Sequence, residues 1–226
     1  FIERYIKGDT YQNLVLEIDH VPGFAPDAAV TDDLRAELSK VLDKPGEVSA
    51  SLNESIASKG ADHAWTIEEL DSLADETFDL EIDTATTKIH VLFVDGHYSK
   101  DTDQGKVLGV AWKNKNLVMF KQTISNSCAS SGATSLLSKQ ICDDAEYSVW
   151  LHEIGHVIGL VDNGLDMVDN HKDEEHGAHD NSRDCVMYWA YEGSEIIDTI
   201  ADRILGGKSG RLSFDQACVN DIVAGR

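Results

Sequence analysis

No stretch of this chain approaches the roughly 18 consecutive apolar residues that a membrane-crossing helix requires, so nothing in it reads as transmembrane. Positive charge is scarce. Nineteen Lys and Arg face 41 Asp and Glu, for a formal net charge of -22. Such a surface repels nucleic acid and anionic membranes, which argues against either as a partner. It serves solubility, and it suits a protein that lives among divalent cations or at high salt. No internal repeat is visible, and no EF-hand spacing occurs. The four cysteines, Cys128, Cys142, Cys185 and Cys218, form no C-x-x-C pair. A cysteine zinc knuckle and a thioredoxin-type redox site are therefore disfavoured.

What is present is ordinary globular material. Hydrophobic residues make up 42% and charged residues 27% of 226, enough for one substantial core and a smaller cluster. The sequence opens on Phe1 rather than Met. That suggests a fragment or a processed form from which a signal peptide or lipid tether has been removed. The expected location is then extracytoplasmic: secreted, periplasmic or surface-anchored. An even cysteine count in an exported protein suggests two disulfides. Order along the chain favours Cys128–Cys142 and Cys185–Cys218, with the other pairings open.

Residues 11–19 alternate as a strand, and Asp27 to about Leu42 carries apolar residues at helical spacing, ended by Lys44-Pro45-Gly46. Residues 47–56 are weakly strand-like. Thr66-x-x-Glu69 is a capping box opening a short helix to about Glu76. Lys88 to Asp95 is a nearly continuous apolar strand, expected at the centre of a sheet. Strands are also expected at Leu108–Trp112 and Leu117–Ile124, around the turn Lys113 to Asn116. A Ser-rich loop over about 125–138, a helix from about Asp143 through Gly159 and a long polar loop over 162–184 follow. Two helices close the chain, one near Ser194–Leu205 and one starting at Ser213 with a Ser213-x-x-Gln216 box.

The chemistry concentrates in His152-Glu153-x-x-His156-x-x-Gly159-x-x-Asp162. Residues four apart share a helix face, so His152 and His156 can offer two imidazoles to one zinc ion. Glu153 lies beside the metal without having to ligate it. It can take a proton from the attacking water and pass it to the leaving amine. Gly159 lets the chain leave the helix abruptly, because glycine tolerates left-handed dihedrals. That exit could return Asp162 to the metal.

With Cys185-Val186-Met187-Tyr188 downstream, this pattern resembles the metzincin clan of zinc peptidases, in which a Met-containing turn underlies the metal. The stretches 108–124, 159–164 and 214–218 further resemble bacterial predicted membrane-associated metalloproteases, over about residues 66–222. The resemblance implies an α+β, metzincin-like (zincin) fold. Its parts are a twisted, mixed five-stranded sheet with a backing helix, an active-site helix and a helical C-terminal part. Residues 1–226 would form a single catalytic domain, with an upper part to about 160 and a lower part beyond it. It implies Met187 as the Met-turn residue. It also implies an antiparallel edge strand, for which Leu108, Gly109, Val110, Ala111 and Trp112 are the candidate, taking an extended protein or peptide substrate by strand addition.

The third ligand stays open in the sequence. Asp162 stands where most of the clan carries His. His171, His176 and His179 in the following loop could complete the site, His179 ahead of His176, leaving Asp162 to orient a ligand. Glu174 or Glu175 would take that role in a thermolysin-like arrangement. The loop oxygens of Asp162, Asp166, Asp169, Asp173, Glu174, Glu175 and Asp180 could hold calcium, although a solvated acidic loop needs no ion. Tyr188 and Tyr191 are candidates to donate to an oxyanion, and Trp189 to shape a side-chain pocket. His20, His63, His90 and His97 read as surface or satisfied core residues. The function expected is a zinc-dependent endopeptidase, with a preceding segment able to keep it latent. The rival is a catalytically inactive module of the same fold that binds peptides or partners around a structural zinc.

Overall fold

The computed structural model describes residues 1–53, 55–103, 105–129 and 135–226. After a short helix α1 (Glu3–Ile6) come β1 (Asn13–His20), α2 (Ala28–Val41), β2 (Val48–Leu52), β3 (Ala64–Trp65), α3 (Ile67–Thr77), β4 (Thr86–Val94), β5 (His97–Tyr98), β6 (Gly109–Trp112) and β7 (Asn116–Phe120). The second half is helical: α4 (Lys121–Ala129), α5 (Ser135–Val157), a 3-10 turn (Trp189–Glu192), α6 (Glu195–Leu205) and α7 (Gln216–Ala224).

The apolar runs in β1, β4 and β7 dictate the middle of the sheet. A strand whose side chains are apolar on both faces needs cover on both faces. The order is β2-β1-β4-β7-β6, with every neighbouring pair parallel except β6 and β7. Alternate residues then feed separate cores. Leu14, Leu16, Ile18, Ile89, Val91 and Phe93 face the larger core, with Leu34 and Leu38 of α2 and Trp150 and Ile154 of α5. Leu92, Val94, Val118 and Phe120 face a smaller cluster with Trp65 and Leu70. Each such side chain taken from water contributes about 1.5–3 kcal/mol, so α5 is held against the sheet along most of its length. A second, two-stranded parallel sheet pairs β3 with β5. The sheet, the backing helix α2, the long α5 and the helical C-terminal part together make the metzincin-like α+β architecture.

Local chemistry explains most boundaries. Asp27 caps α2 through its side chain, which accepts from the Ala29 and Val30 amides. The Thr66–Glu69 capping box is present on α3. Lys113 and Asn114 both adopt left-handed φ, 57° and 49°, and turn β6 into β7. Asn114 then donates through Nδ2 to His156 O (3.3 Å) and Asn163 O (3.4 Å). The hairpin tip is thereby tied to the end of α5.

Three boundaries differ from expectation. Strand β7 stops at Phe120, and 121–124 belongs to α4, where Ile124 and Cys128, four residues apart, are both buried. The loop expected over 125–138 is helix up to Ala129 and again from Ser135, and residues 130–134 of it lie outside the described residues. Helix α5 therefore begins well before Asp143; Ile141 and Ala145 carry its buried face back toward its start. Helix α7 begins at Gln216, not Ser213, because the Asp215 side chain accepts the Cys218 amide (3.0 Å).

Candidate metal centre

Helix α5 ends in the metal motif and is buried there by its own apolar neighbours. His152 is fully buried, Glu153 is 1% exposed, and His156 is half-buried at the edge. The two imidazoles meet with their Nε2 atoms 3.1 Å apart. His152 donates its Nδ1–H to Val186 O (2.7 Å), which leaves Nε2 with its lone pair. Beneath them, Met187 is buried against Gly155, the residue before His156, beside Phe214.

The loop supplies the third imidazole. The ring of His179 lies 5.3 Å from that of His152 and 4.9 Å from that of His156, centroid to centroid. Its Nδ1–H donates to His176 O (2.5 Å), which again frees Nε2. That Nε2 is buried without a hydrogen-bond partner. Its ion-pair neighbour is Glu192 Oε2 at 3.6 Å, beyond ordinary hydrogen-bond length. The donors of His152, His156, His179 and Glu192 all lie within 4.8 Å of one another. Three neutral imidazoles and a carboxylate suit zinc by donor type and by tetrahedral number.

Asp162 is not in this group. Past Gly159 (φ 85°), Val161 and Asp162 both take left-handed φ, 55° and 60°. The Asp162 side chain points to solvent and pairs with Lys172 (2.9 Å). The exit from α5 thus sends the chain into the loop, and the metal-facing residue arrives only at His179. His176 also stands apart, its ring stacked on Trp189 (4.2 Å) and bonded to Asp173 (2.8 Å). His171 is buried between Asp180 (2.5 Å) and Asp221 (2.8 Å). Glu174 and Glu175 are likewise outside the group. Among the described residues no candidate metal group is made of carboxylates alone. His90 pairs with Asp19 in the core (2.9 Å).

Glu153 is placed by the edge strand. A Cβ on Gly109 would lie 2.8 Å from Glu153 Cγ and 2.9 Å from its Oε1, so only glycine admits this carboxylate. Oε1 is buried without a partner. Burial, with the Glu192 charge nearby, pushes the carboxyl well above the usual range, while the Ala111 N–H pulls the other way. Burial brings His152 down to about 4 and His156 well below its ordinary value, with neighbouring imidazoles adding to both. Burial also acts to lower His179, but Glu192 and the His176 carbonyl outweigh it and raise that group.

Strand β6, from Gly109 to Trp112, is the antiparallel edge of the sheet beside α5; Leu108 is just upstream of it. Tyr191 is buried and its hydroxyl donates to Arg183 O (2.7 Å). Tyr188 packs its ring on Tyr191 and under Arg183. Cys128 and Cys142 bring their sulfurs together across α4 and α5, with Cα atoms 5.5 Å apart. Cys185 and Cys218 are buried with sulfurs 3.5 Å apart, at hydrogen-bond distance and not joined in the expected disulfide. With Asp180 and Asp215 they form a second group of candidate metal donors. Sequence spacing missed Glu192, whose only signal was its position shortly after the Met-turn.

The mixed sheet, the long metal helix, the methionine beneath it and the loop histidine define a metzincin-like fold of the zincin type. Solved structures share it. An archaemetzincin from Methanopyrus kandleri superposes with a TM-score of 0.56 at 15% identity, covering 95% of this chain and 96% of that one. A zinc-dependent peptidase from Methanocorpusculum labreanum (strain Z) gives 0.52 at 17% identity, covering 92% and 99%. At such identities the likeness is one of fold. No family model and no curated protein matches the chain.

Proposed function

We propose that this chain is a zinc-dependent endopeptidase, with His152, His156 and His179 as metal ligands and Glu153 as general base and acid. The observation that carries the reading is the convergence of three imidazole nitrogens, two with their tautomers set by backbone carbonyls, beside a buried carboxylate whose Oε1 has no partner. When bound, zinc supplies a Lewis acid that lowers the pKa of water toward about 7 and polarises a carbonyl oxygen. The chain does the rest. Val186 O and His176 O orient two ligands. A cation held by the imidazoles would favour the ionised form of Glu153, and that carboxylate accepts a proton from the attacking water and returns it to the leaving amine. An extended peptide adds to the outer edge of β6. Tyr188 is the better oxyanion donor, since the Tyr191 hydroxyl is already used.

The solved neighbours, one named a zinc-dependent peptidase and the other an archaemetzincin, support the same class. The narrower likeness to membrane-associated bacterial enzymes, an extracytoplasmic location and a Cys128–Cys142 disulfide belong to this proposal as its further parts. In the decisive experiment, Glu153→Ala keeps one zinc but no longer cleaves casein. Cleavage equal to wild type would refute the mechanism.

A second reading has one observation in its favour. With Glu192 counted, four side-chain donors gather, and a closed four-ligand shell is the arrangement of structural zinc. A binding module would hold zinc and cleave no member of a peptide library.

A further inference from the structure

Glu192 stands at the end of the 3-10 turn, and its backbone is fixed to the sheet. Leu108 N–H donates to Glu192 O (2.8 Å), and Ser194 N–H donates to Lys106 O (2.8 Å). Between them, Gly193 bridges Val107 in antiparallel fashion. Residues 192–194 therefore lie along the outer edge of the chain just upstream of β6. The carboxylate is within 4.8 Å of the three imidazole donors, and its Oε2 is 3.6 Å from His179 Nε2.

The two carboxylates beside the site are built differently. Glu153 is sealed behind Gly109 and cannot leave. The Glu192 side chain is 46% exposed, so solvent is open to it on one side. Tetrahedral zinc takes four donors. A peptidase needs one of those positions for water or substrate, whereas a site with four protein donors is closed. Three imidazoles and Glu192 would supply all four donors and leave no position for water.

Resting on the peptidase reading above, we propose that Glu192 is an exchangeable fourth ligand that closes the metal site in the empty cleft and leaves it when substrate seats. The exchange is of one oxygen ligand for another. The Glu192 carboxylate gives up its position and turns to solvent, and a water molecule takes that position. No covalent bond of the chain changes. The same segment couples the exchange to binding. A peptide extending along β6 from Trp112 toward Leu108 runs into Glu192–Ser194, which already holds the next hydrogen-bonding positions of that edge.

The test uses cobalt(II) absorption and zinc competition with a chromophoric chelator, on wild type, Glu192→Gln and Glu192→Ala. The signal lost in His179→Ala isolates this site from the cysteine group. We expect both Glu192 variants to bind one metal about tenfold or more weaker, the scale of losing a supporting metal contact. We expect their cobalt spectra to shift on adding azide, which enters the vacated position, while wild type does not respond. Casein turnover should rise in Glu192→Ala. Equal affinities, with wild type as responsive to azide as the variants, would overturn the latch and leave the peptidase reading standing. Absence of metal from wild type would overturn both.

Discussion

Met187 fills the space a side chain on Gly155 would need. A methyl group there would overlap Met187 Sδ and come to 3.1 Å from Met187 Cε and from Phe214 Cε1. The residue that separates the metal helix from its methionine floor is thus required to be small. Alanine is the better helix former by about 1 kcal/mol. Overpacking a filled core costs about 1–3 kcal/mol. The second effect should win. Gly155→Ala is expected to lower the melting temperature by several degrees and to weaken zinc binding, both measured on the purified chain. An unchanged melting temperature would show that Met187 is free to move.

Gly109 makes the corresponding demand on the other side of Glu153. Because a Cβ would meet Glu153 Cγ at 2.8 Å, Gly109→Ala must displace the carboxylate. Misplacement of a catalytic group by about 1 Å can cost on the order of a hundredfold in rate. The expected result is casein cleavage reduced at least about tenfold with zinc content unchanged. Loss of zinc in parallel would place the damage at the ligands instead.

His179 and Asp162 offer a direct contrast. His179→Ala removes a buried donor that gathers with His152 and His156, so zinc affinity should fall on the order of a hundredfold or more. Asp162→Ala breaks only an exposed pair with Lys172 and should leave affinity within about twofold, as solvated ion pairs contribute little. Chelator competition on both variants reads the difference, and the reverse ranking would return Asp162 to the ligand set.

His171 predicts a pH dependence of stability. Burial acts to lower it, but the flanking Asp221 and Asp180 outweigh burial and raise it above its ordinary value of 6.5. A raised folded-state pKa means the folded protein binds the proton more tightly than the unfolded chain does. This stabilisation is complete below about pH 6.5, the unfolded value, and is lost as pH rises through the higher folded value. Metal-free protein should therefore melt at lower temperature as pH is raised across that window. His171→Gln should be less stable at low pH and flatter in its pH profile. A profile as steep as wild type would assign the dependence to another group.

The sequence exposed what short-range geometry controls. His152 and His156 share a face because a helix repeats that way, and Thr66 and Glu69 cap α3 for a similarly local reason. The run from Lys88 to Asp95 announced a central strand, and β4 lies between β1 and β7. His179 and Glu192 could not be found so. They reach the metal helix through a loop and a 3-10 turn whose course is set by contacts such as Val186 O to His152 and Leu108 to Glu192. No periodicity encodes those. The start of α4 was hidden for another reason. Its Thr, Ser and Asn residues are poor helix formers, and burial of Ile124 and Cys128 overrides that preference.

The most direct test of the whole account is a zinc-loaded crystal structure with anomalous scattering recorded at the zinc edge. We predict one ion with His152, His156 and His179 Nε2 at about 2.0–2.1 Å and Glu153 adjacent but unbound. An ion held by Asp162, or no ion between these imidazoles, would contradict it.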